Sequence, residues 1–266
     1  MKKFWVFLLI IVLMASCGEY QSLLKSNDYN LVYKKAIEYY NKGDYQRAMN
    51  LLDGVRSVFV GQAKAQNIAY YRAFCSYNMK DYQIASDLFK QFIQTYPESS
   101  FAEECLYMMG FCDYKASPKP RLDQQVTEKA IREFQLYLSR YPYSMRKDKV
   151  NTYMDEMRDK LSYKAYLSAK NYYLREHYKA AVISLQNCLK DYPGSKYREE
   201  IMYMLFVSKY QMAVNSVEDK KVERYNNARE EYYYFADEYP NSRYAADVKK
   251  MYEDIEAYLE NYKFED

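Results

Sequence analysis

One histidine, five cysteines and a scatter of carboxylates are the residues in this 266-residue sequence whose types could support chemistry. His177 follows Leu174-Arg175-Glu176 in a short turn between two helical patterns. With no cysteine or carboxylate constellation around it, it supplies neither a metal site nor a triad. Asp155, Glu156 and Asp159 keep helical surface spacing beside Arg158 and Lys160, the pattern of a solvated, ion-paired face. Cys75, Cys105, Cys112 and Cys188 fall inside apolar helical runs at no ligand or framework spacing, so small buried hydrophobes are expected there, with oxidation to a disulfide the alternative. No Gly-rich phosphate loop is present. The residues argue for no enzyme, no metal and no cofactor.

The fifth cysteine stands in a different setting. Lys2 and Lys3 precede an apolar run from Phe4 to Ala15, shorter than the roughly 20 residues a spanning helix needs. A basic start, a short apolar stretch and the small pair Ala15-Ser16 read as a secretory signal over residues 1–16. Leu13-Met14-Ala15-Ser16-Cys17 resembles the bacterial lipoprotein signal, with Met14 where that motif prefers leucine. The resemblance implies that Cys17 becomes the acylated first residue of the mature chain; an ordinary cleaved signal beside a coincidental cysteine is the alternative. Several acyl chains hold a protein far better than one. Gly18-Glu19-Tyr20-Gln21 has no Asp beside the cysteine and no acidic cluster, which by resemblance to lipoprotein sorting implies the outer membrane and its periplasmic face. Loss of Lys2 and Lys3 leaves 37 basic against 36 acidic residues. A nearly neutral chain has no electrostatic footprint for nucleic acid.

Around these residues the chain repeats itself. Tyr-Pro-x-Ser occurs at Tyr96–Ser99, Tyr141–Ser144, Tyr192–Ser195 and Tyr239–Ser242, each between two amphipathic runs. The proline ends one helix and the serine is expected to cap the next, with acidic residues such as Glu103, Glu199 and Glu200 in its first turn. Twelve residues before each proline is an alanine: Ala85, Ala130, Ala181 and Ala228. Four residues further on stands a large residue: Phe89, Phe134, Leu185 and Tyr232. Ala36, Ala73 and Ala169 lie twelve residues before Ala48, Ala85 and Ala181. This resembles the helix pairs of tetratricopeptide repeats, where a small residue permits close approach and a large one fills the core. Six glycines and six prolines leave little material for a turn-rich sheet protein. The fold class expected is all-α: a tetratricopeptide-like superhelical solenoid of about five helix-turn-helix repeats with a C-terminal capping helix over Arg243 to Tyr262.

The prolines of the repeated phrase are 45, 51 and 47 residues apart, longer than the usual 34. Insertions are expected at Ser117-Pro118-Lys119-Pro120 and at Ser216 to Glu223, and one long helix between Met145 and Leu174.

Tyrosine makes up 35 residues, and its spacing suggests a purpose. Tyr33 and Tyr40, Tyr70 and Tyr77, and Tyr166 and Tyr173 are each seven apart, so each pair lies on one helical face. With Asn41 and Asn78, the pairs in the first two repeats form the expected peptide-binding groove. Tyrosine joins apolar area to a hydroxyl and suits contact with extended or helical peptides. The competing reading is that these rings are mortar between repeats.

Longer stretches carry a more specific resemblance: Tyr39-Tyr40-Asn41-Lys42-Gly43-Asp44-Tyr45-Gln46-Arg47-Ala48, Arg121-Leu122-Asp123-Gln124-Gln125-Val126-Thr127-Glu128-Lys129-Ala130, Asp159-Lys160-Leu161-Ser162, Tyr172-Tyr173-Leu174-Arg175, Tyr178-Lys179-Ala180-Ala181 and Tyr232-Tyr233-Tyr234-Phe235-Ala236-Asp237-Glu238-Tyr239-Pro240. With the cysteine signal, they resemble the outer membrane protein assembly lipoproteins of the BamD family over nearly the whole chain. The resemblance implies a non-catalytic scaffold of the beta-barrel assembly machinery. Its implied partners are a BamA-type outer membrane barrel protein, unfolded outer membrane protein clients and other assembly subunits. It divides the chain into a signal peptide (1–16), a lipidated linker (17–28), client-binding repeats (29–142) and partner-binding repeats with the capping helix (143–266). Lys190, Tyr197, Arg198, Tyr225 and Arg229 are the expected assembly-partner surface. The chain departs from the family at Glu176-His177, where Arg-Gly is usual, and at Ala165, where a glutamate is usual. A periplasmic tetratricopeptide adaptor for cell-wall or secretion complexes would share the anchor and the repeats. A glycan-binding lipoprotein would need a closed aromatic pocket rather than distributed pairs.

Overall fold

Turns of one design punctuate the chain because the Tyr-Pro-x-Ser phrase folds the same way each time. In the computed structural model, which describes residues 18–262, the serine amide donates to the tyrosine carbonyl at all four sites, at 3.0–3.2 Å. The serine hydroxyl accepts from the amide two residues on, in Phe101, Arg146, Tyr197 and Tyr244, at 3.0–3.3 Å. The serine was expected at the helix cap itself. It stands two residues before the N-caps Phe101 and Tyr197, and so fastens the turn that delivers the chain into the helix.

Helices fill the intervals. A segment over 18–24 (α1) leads to Tyr29–Asn41 (α2), Tyr45–Val55 (α3), Ala63–Asn78 (α4), Tyr82–Thr95 (α5), Ala102–Ala116 (α6), Gln125–Arg140 (α7) and Lys147–Leu174 (α8). Tyr178–Asp191 (α9), Arg198–Val214 (α10), Glu218–Glu238 (α11) and Ala245–Tyr262 (α12) complete the described residues. The prolines of Ser117–Pro120 do break the chain between α6 and α7. Of the expected insertion at 216–223, the part from Glu218 is helical and lengthens α11 to 21 residues. The stretch read as one long helix is α8, of 28 residues. Residues 18–24 of the expected linker are α1. Cys17 and the signal segment lie outside the described residues.

The chain divides into two compact units, ending at Met157 and beginning at Arg158. In the first, α2/α3, α4/α5 and α6/α7 are helix pairs stacked on their neighbours. In the second, α9, α10, α11 and α12 pack in succession. All the repeat alanines, Ala36, Ala48, Ala73, Ala85, Ala130, Ala169, Ala181 and Ala228, are fully buried. A larger side chain at any of them would force its helix off its neighbour, the overpacking that costs about 1–3 kcal/mol. Phe89, Phe134 and Leu185 fill the core as expected. In α11 that role passes from Tyr232 to the buried Phe235, seven residues after Ala228 and so on its face. Tyr232 stacks on Tyr252 of α12 at 4.0 Å.

Candidate functional site: a ring array and its carboxylate staples

In the first unit, the paired tyrosines lie in a chain of half-buried rings. Tyr40 meets Tyr71 at 4.9 Å, Tyr71 meets Tyr70 at 5.5 Å, and Tyr70 packs on Phe74 at 4.5 Å. Phe74 reaches Tyr77 at 6.4 Å, Tyr77 reaches Phe111 at 6.2 Å, and Phe111 stacks on Tyr114 at 5.9 Å. Tyr153 closes the row against Tyr114 at 4.5 Å. The structure thus joins Tyr40, Tyr70 and Tyr77 along α2, α4 and α6, and sets Asn78 beside the Tyr40 hydroxyl, which burial drives up to about 12. The Asn78 amide donates to the Phe74 carbonyl at 2.8 Å. Tyr33 is apart from this row, against Phe59 at 6.1 Å with the Lys64 ammonium over its ring at 5.7 Å. Asn41 is exposed at the end of α2.

Hydroxyls from this class of residue do a second job. Tyr70 of α4 donates to Glu104 of α6 at 2.8 Å, and Tyr114 of α6 donates to Glu156 of α8 at 2.5 Å. In the second unit Tyr203 and Tyr210 of α10 donate to Asp247 and Asp254 of α12 at 2.7 and 3.2 Å. Each bond ties the first helix of one repeat to the next repeat. The hydroxyls lose acidity accordingly: Tyr114 rises to about 12, chiefly through Glu156, and Tyr210 to about 12 through burial and Asp254. Glu104, Asp247 and Asp254 escaped the sequence reading, and Glu156, read there as part of a solvated ion-paired face, accepts from Tyr114. Their signal was a tyrosine-to-carboxylate separation of 34 to 44 residues, one repeat length.

Expected partner-surface residues in the second unit fall into two groups. Lys190 is exposed in the last turn of α9. Tyr197 stacks on Tyr166 at 4.4 Å, and Arg198 grips Glu238 with two nitrogens at 2.5 and 2.9 Å. Tyr225 is buried against Tyr258 at 4.4 Å, and Arg229 holds Asn226 at 2.7 Å and Glu256 at 3.5 Å. These last two brace α12. An open cleft of about 780 Å³, lined by Tyr172, His177, Ile183, Met212 and Arg224, lies in the same unit. Ala165 is half-buried on the apolar core of this unit.

Titratable groups are used structurally. Cys75, Cys105, Cys112 and Cys188 are free and buried, and burial raises every thiol, Cys75 and Cys105 to about 12 and Cys188 to about 11. Lys129 meets buried Asp113 at 2.9 Å, and the Ser86 hydroxyl donates to the same carboxylate at 3.0 Å. Glu133 lies one helical turn away at 3.7 Å from Lys129, and burial next to Asp113 holds its carboxyl well above the usual range. Among the described residues no His, Cys, Asp and Glu cluster could hold a metal ion, and no helix is long and apolar enough to cross a membrane.

The family model of the outer membrane lipoprotein YfiO matches residues 25–200 and 164–265. The chain belongs to that family. It is therefore an outer membrane lipoprotein, lipid-anchored and facing the periplasm, and a non-enzymatic scaffold of the BamD type. YfiO-family membership implies association with a BamA-type complex. Solved structures with similar folds include a tetratricopeptide-repeat protein from Bacteroides fragilis, 13% identical, TM-score 0.42, covering 87% of this chain and 99% of that one. The TPR2AB domain of yeast Sti1, in its pHSP90 complex, is 14% identical with TM-score 0.39, over 86% and 98% of the two chains. No curated protein matches the sequence.

Proposed function

We propose that this lipoprotein, acylated at Cys17, gathers two kinds of protein for barrel assembly. The repeats over 29–142 receive segments of unfolded outer membrane protein clients, and the repeats over 143–266 dock the BamA-type barrel protein. The row of half-buried rings from Tyr40 to Tyr153 carries the first half of this reading. Its ring edges offer apolar area with the hydroxyls of Tyr70 and Tyr77 and the amide of Asn78 at the margins, and Tyr33 and Asn41, which stand apart from the row, would extend the contact along α2. A client strand alternates apolar and polar side chains, and such a surface accepts both without reading one sequence. The mortar role of the rings supports this use, because packed, stapled rings are already ordered and lose little entropy on binding.

In the second half, Lys190, Tyr197 and Arg198 supply the contact, and Tyr225 and Arg229 act by fixing α12. The open cleft bordered by His177 and Arg224 adds apolar area to this unit. Folding of the client draws on its own burial of apolar surface, with the scaffold contributing orientation and local concentration.

Gentle solubilisation of outer membranes and recovery of the C-terminally tagged protein tests the assignment. A barrel protein with repeated soluble periplasmic domains, recovered in stoichiometric amount, is the expected result. Cell-wall or secretion enzymes in its place would favour the adaptor reading. Photo-crosslinkers at position 77 are expected to capture unfolded barrel clients, and those at position 190 the barrel partner. The reverse pattern would overturn the division of labour.

A further inference from the structure

Helix α1 begins at Gly18, one peptide bond after Cys17, and consecutive Cα atoms are about 3.8 Å apart. The helix is docked. Tyr20 and Leu23 are buried in the core of the first hairpin with Val32, Ala36 and Leu51. The Asn50 amide donates to the Tyr20 hydroxyl at 3.0 Å, and the Tyr20 ring meets Tyr39 edge-on at 5.9 Å. The Arg47 guanidinium lies over both rings, at 5.3 and 5.8 Å. Glu19 pairs with Lys35 at 2.9 Å, and its carboxyl is held low by Lys35 and, more weakly, by Lys42. These contacts put the start of α1 alongside the half of the hairpin nearer the α2–α3 turn, with Glu19 at Lys35 in the middle of α2 and Tyr20 at Tyr39 and Arg47 on either side of the turn.

We propose that α1 makes the lipid anchor a short, rigid attachment, and that the α2–α3 turn end of the first hairpin rests on phospholipid headgroups. The surface comprises Lys35, Lys42 and Arg47. This inference rests on acylation of Cys17. A free tether over residues 17–28 would extend up to about 40 Å and would average about 20 Å as a random coil, enough to let the hairpin take any orientation. Docked α1 removes nearly all of that length. Lys35 also pairs with Glu38 at 3.1 Å and Arg47 with Asp44 at 3.3 Å, so the covalent anchor, rather than net charge, sets the contact. The phosphate of a phospholipid headgroup is a further anionic acceptor for the three cations, beside the carboxylates that Lys35 and Arg47 already meet.

Energy transfer can measure this directly because Trp5 is the sole tryptophan and leaves with the signal segment. Asn41→Trp, at the exposed end of α2 beside Lys42, puts a donor at the proposed contact and keeps its three cations. Val60→Trp puts one in the loop after α3, whose Phe59 meets Tyr33, next to Lys64 at the start of α4, which bonds Asn30 near the start of α2. The two ends of α2 are about 18 Å apart. Each lipidated variant is placed in phosphatidylethanolamine/phosphatidylglycerol vesicles that carry a dansyl-headgroup lipid, after intact mass has established the acylated N-terminus. Transfer from Trp at 41 is expected to be at least twice that from Trp at 60. Ten Gly-Ser residues inserted between Gly18 and Glu19 are expected to bring the two values together with an unchanged melting temperature. Equal transfer without the insertion would overturn the proposal, as would a difference that survives the insertion. Absence of acyl mass on Cys17 would overturn the reading beneath it, separately from the contact.

Discussion

Glu176 adopts φ of +60° and Lys80 of +67°, in turns where Gly43 adopts +80°. All three make the same bonds: the Glu176 amide to the Tyr173 carbonyl and the His177 amide to the Tyr172 carbonyl, matched by Lys80–Tyr77 and Asp81–Ser76, and by Gly43–Tyr40 and Asp44–Tyr39. Glu176 and Lys80 hold the same bend without glycine and bear the Cβ clash, about 1–2 kcal/mol for an L-residue. Glu176→Gly is expected to raise the unfolding free energy by about 0.5 kcal/mol, the clash relieved less the extra unfolded-state entropy of glycine. Urea titration checks it; a decrease would show that the Glu176 side chain contributes more than its backbone costs. The buried cluster around Asp113 makes a second prediction. Burial opposes the Lys129 charge, yet Asp113 and Glu133 hold its ammonium above the ordinary value. Glu133 goes the other way for a carboxylate, with its pKa raised and Oε2 buried without a partner. The folded state then binds its proton more tightly than the unfolded chain does. This contribution is fully present below the ordinary value of 4.5 and is lost as pH rises from there through the folded value. Glu133→Gln should flatten that decline, leaving stability at pH 5 little changed and raising it at pH 8 by on the order of 1 kcal/mol. Melting curves across this range measure both.

Helix pairing depends on a few close approaches. At Gly110 of α6 an added Cβ would stand 2.9 Å from the ring of Phe134, which is fully buried in α7. The ring is packed against Tyr107 and Tyr153. Gly110→Ala would gain about 1 kcal/mol in helix propensity and lose about 1–3 kcal/mol to overpacking. Net destabilisation is expected, read as a lower denaturation midpoint. Much at this scale was legible in the residues. The Tyr-Pro-x-Ser phrases located the turns, and the alanine spacing located the buried faces, because a proline and a missing side chain act through local geometry. The Tyr70–Glu104 and Tyr203–Asp247 staples were not legible: their partners are a full repeat apart, and many carboxylates stand at similar distances. That Tyr232 stacks on Tyr252 of α12, half-buried beside the buried Phe235, was likewise not legible.

For the whole molecule, the anchor determines place and the helices determine shape. Replacement of residues 1–17 by an ordinary cleavable secretory signal is expected to move the protein into the soluble periplasmic fraction. Its melting temperature should stay within about 2 °C, since two core residues of α1, Tyr20 and Leu23, remain. Fractionation and calorimetry check this together, and a large fall in melting temperature would mean that the lipid itself supports the fold. From the sequence alone came the export signal, the repeat class, the family resemblance and the absence of a catalytic constellation, all of which depend on residue type and local spacing. Tertiary structure decided which tyrosines are ring-to-ring neighbours, that Arg198 is committed to Glu238 and Tyr225 to α12, and that the chain after Cys17 is a docked helix. Those outcomes depend on distances between residues remote in sequence, and periodicity gives only the face a side chain occupies, not the partner waiting on the next helix.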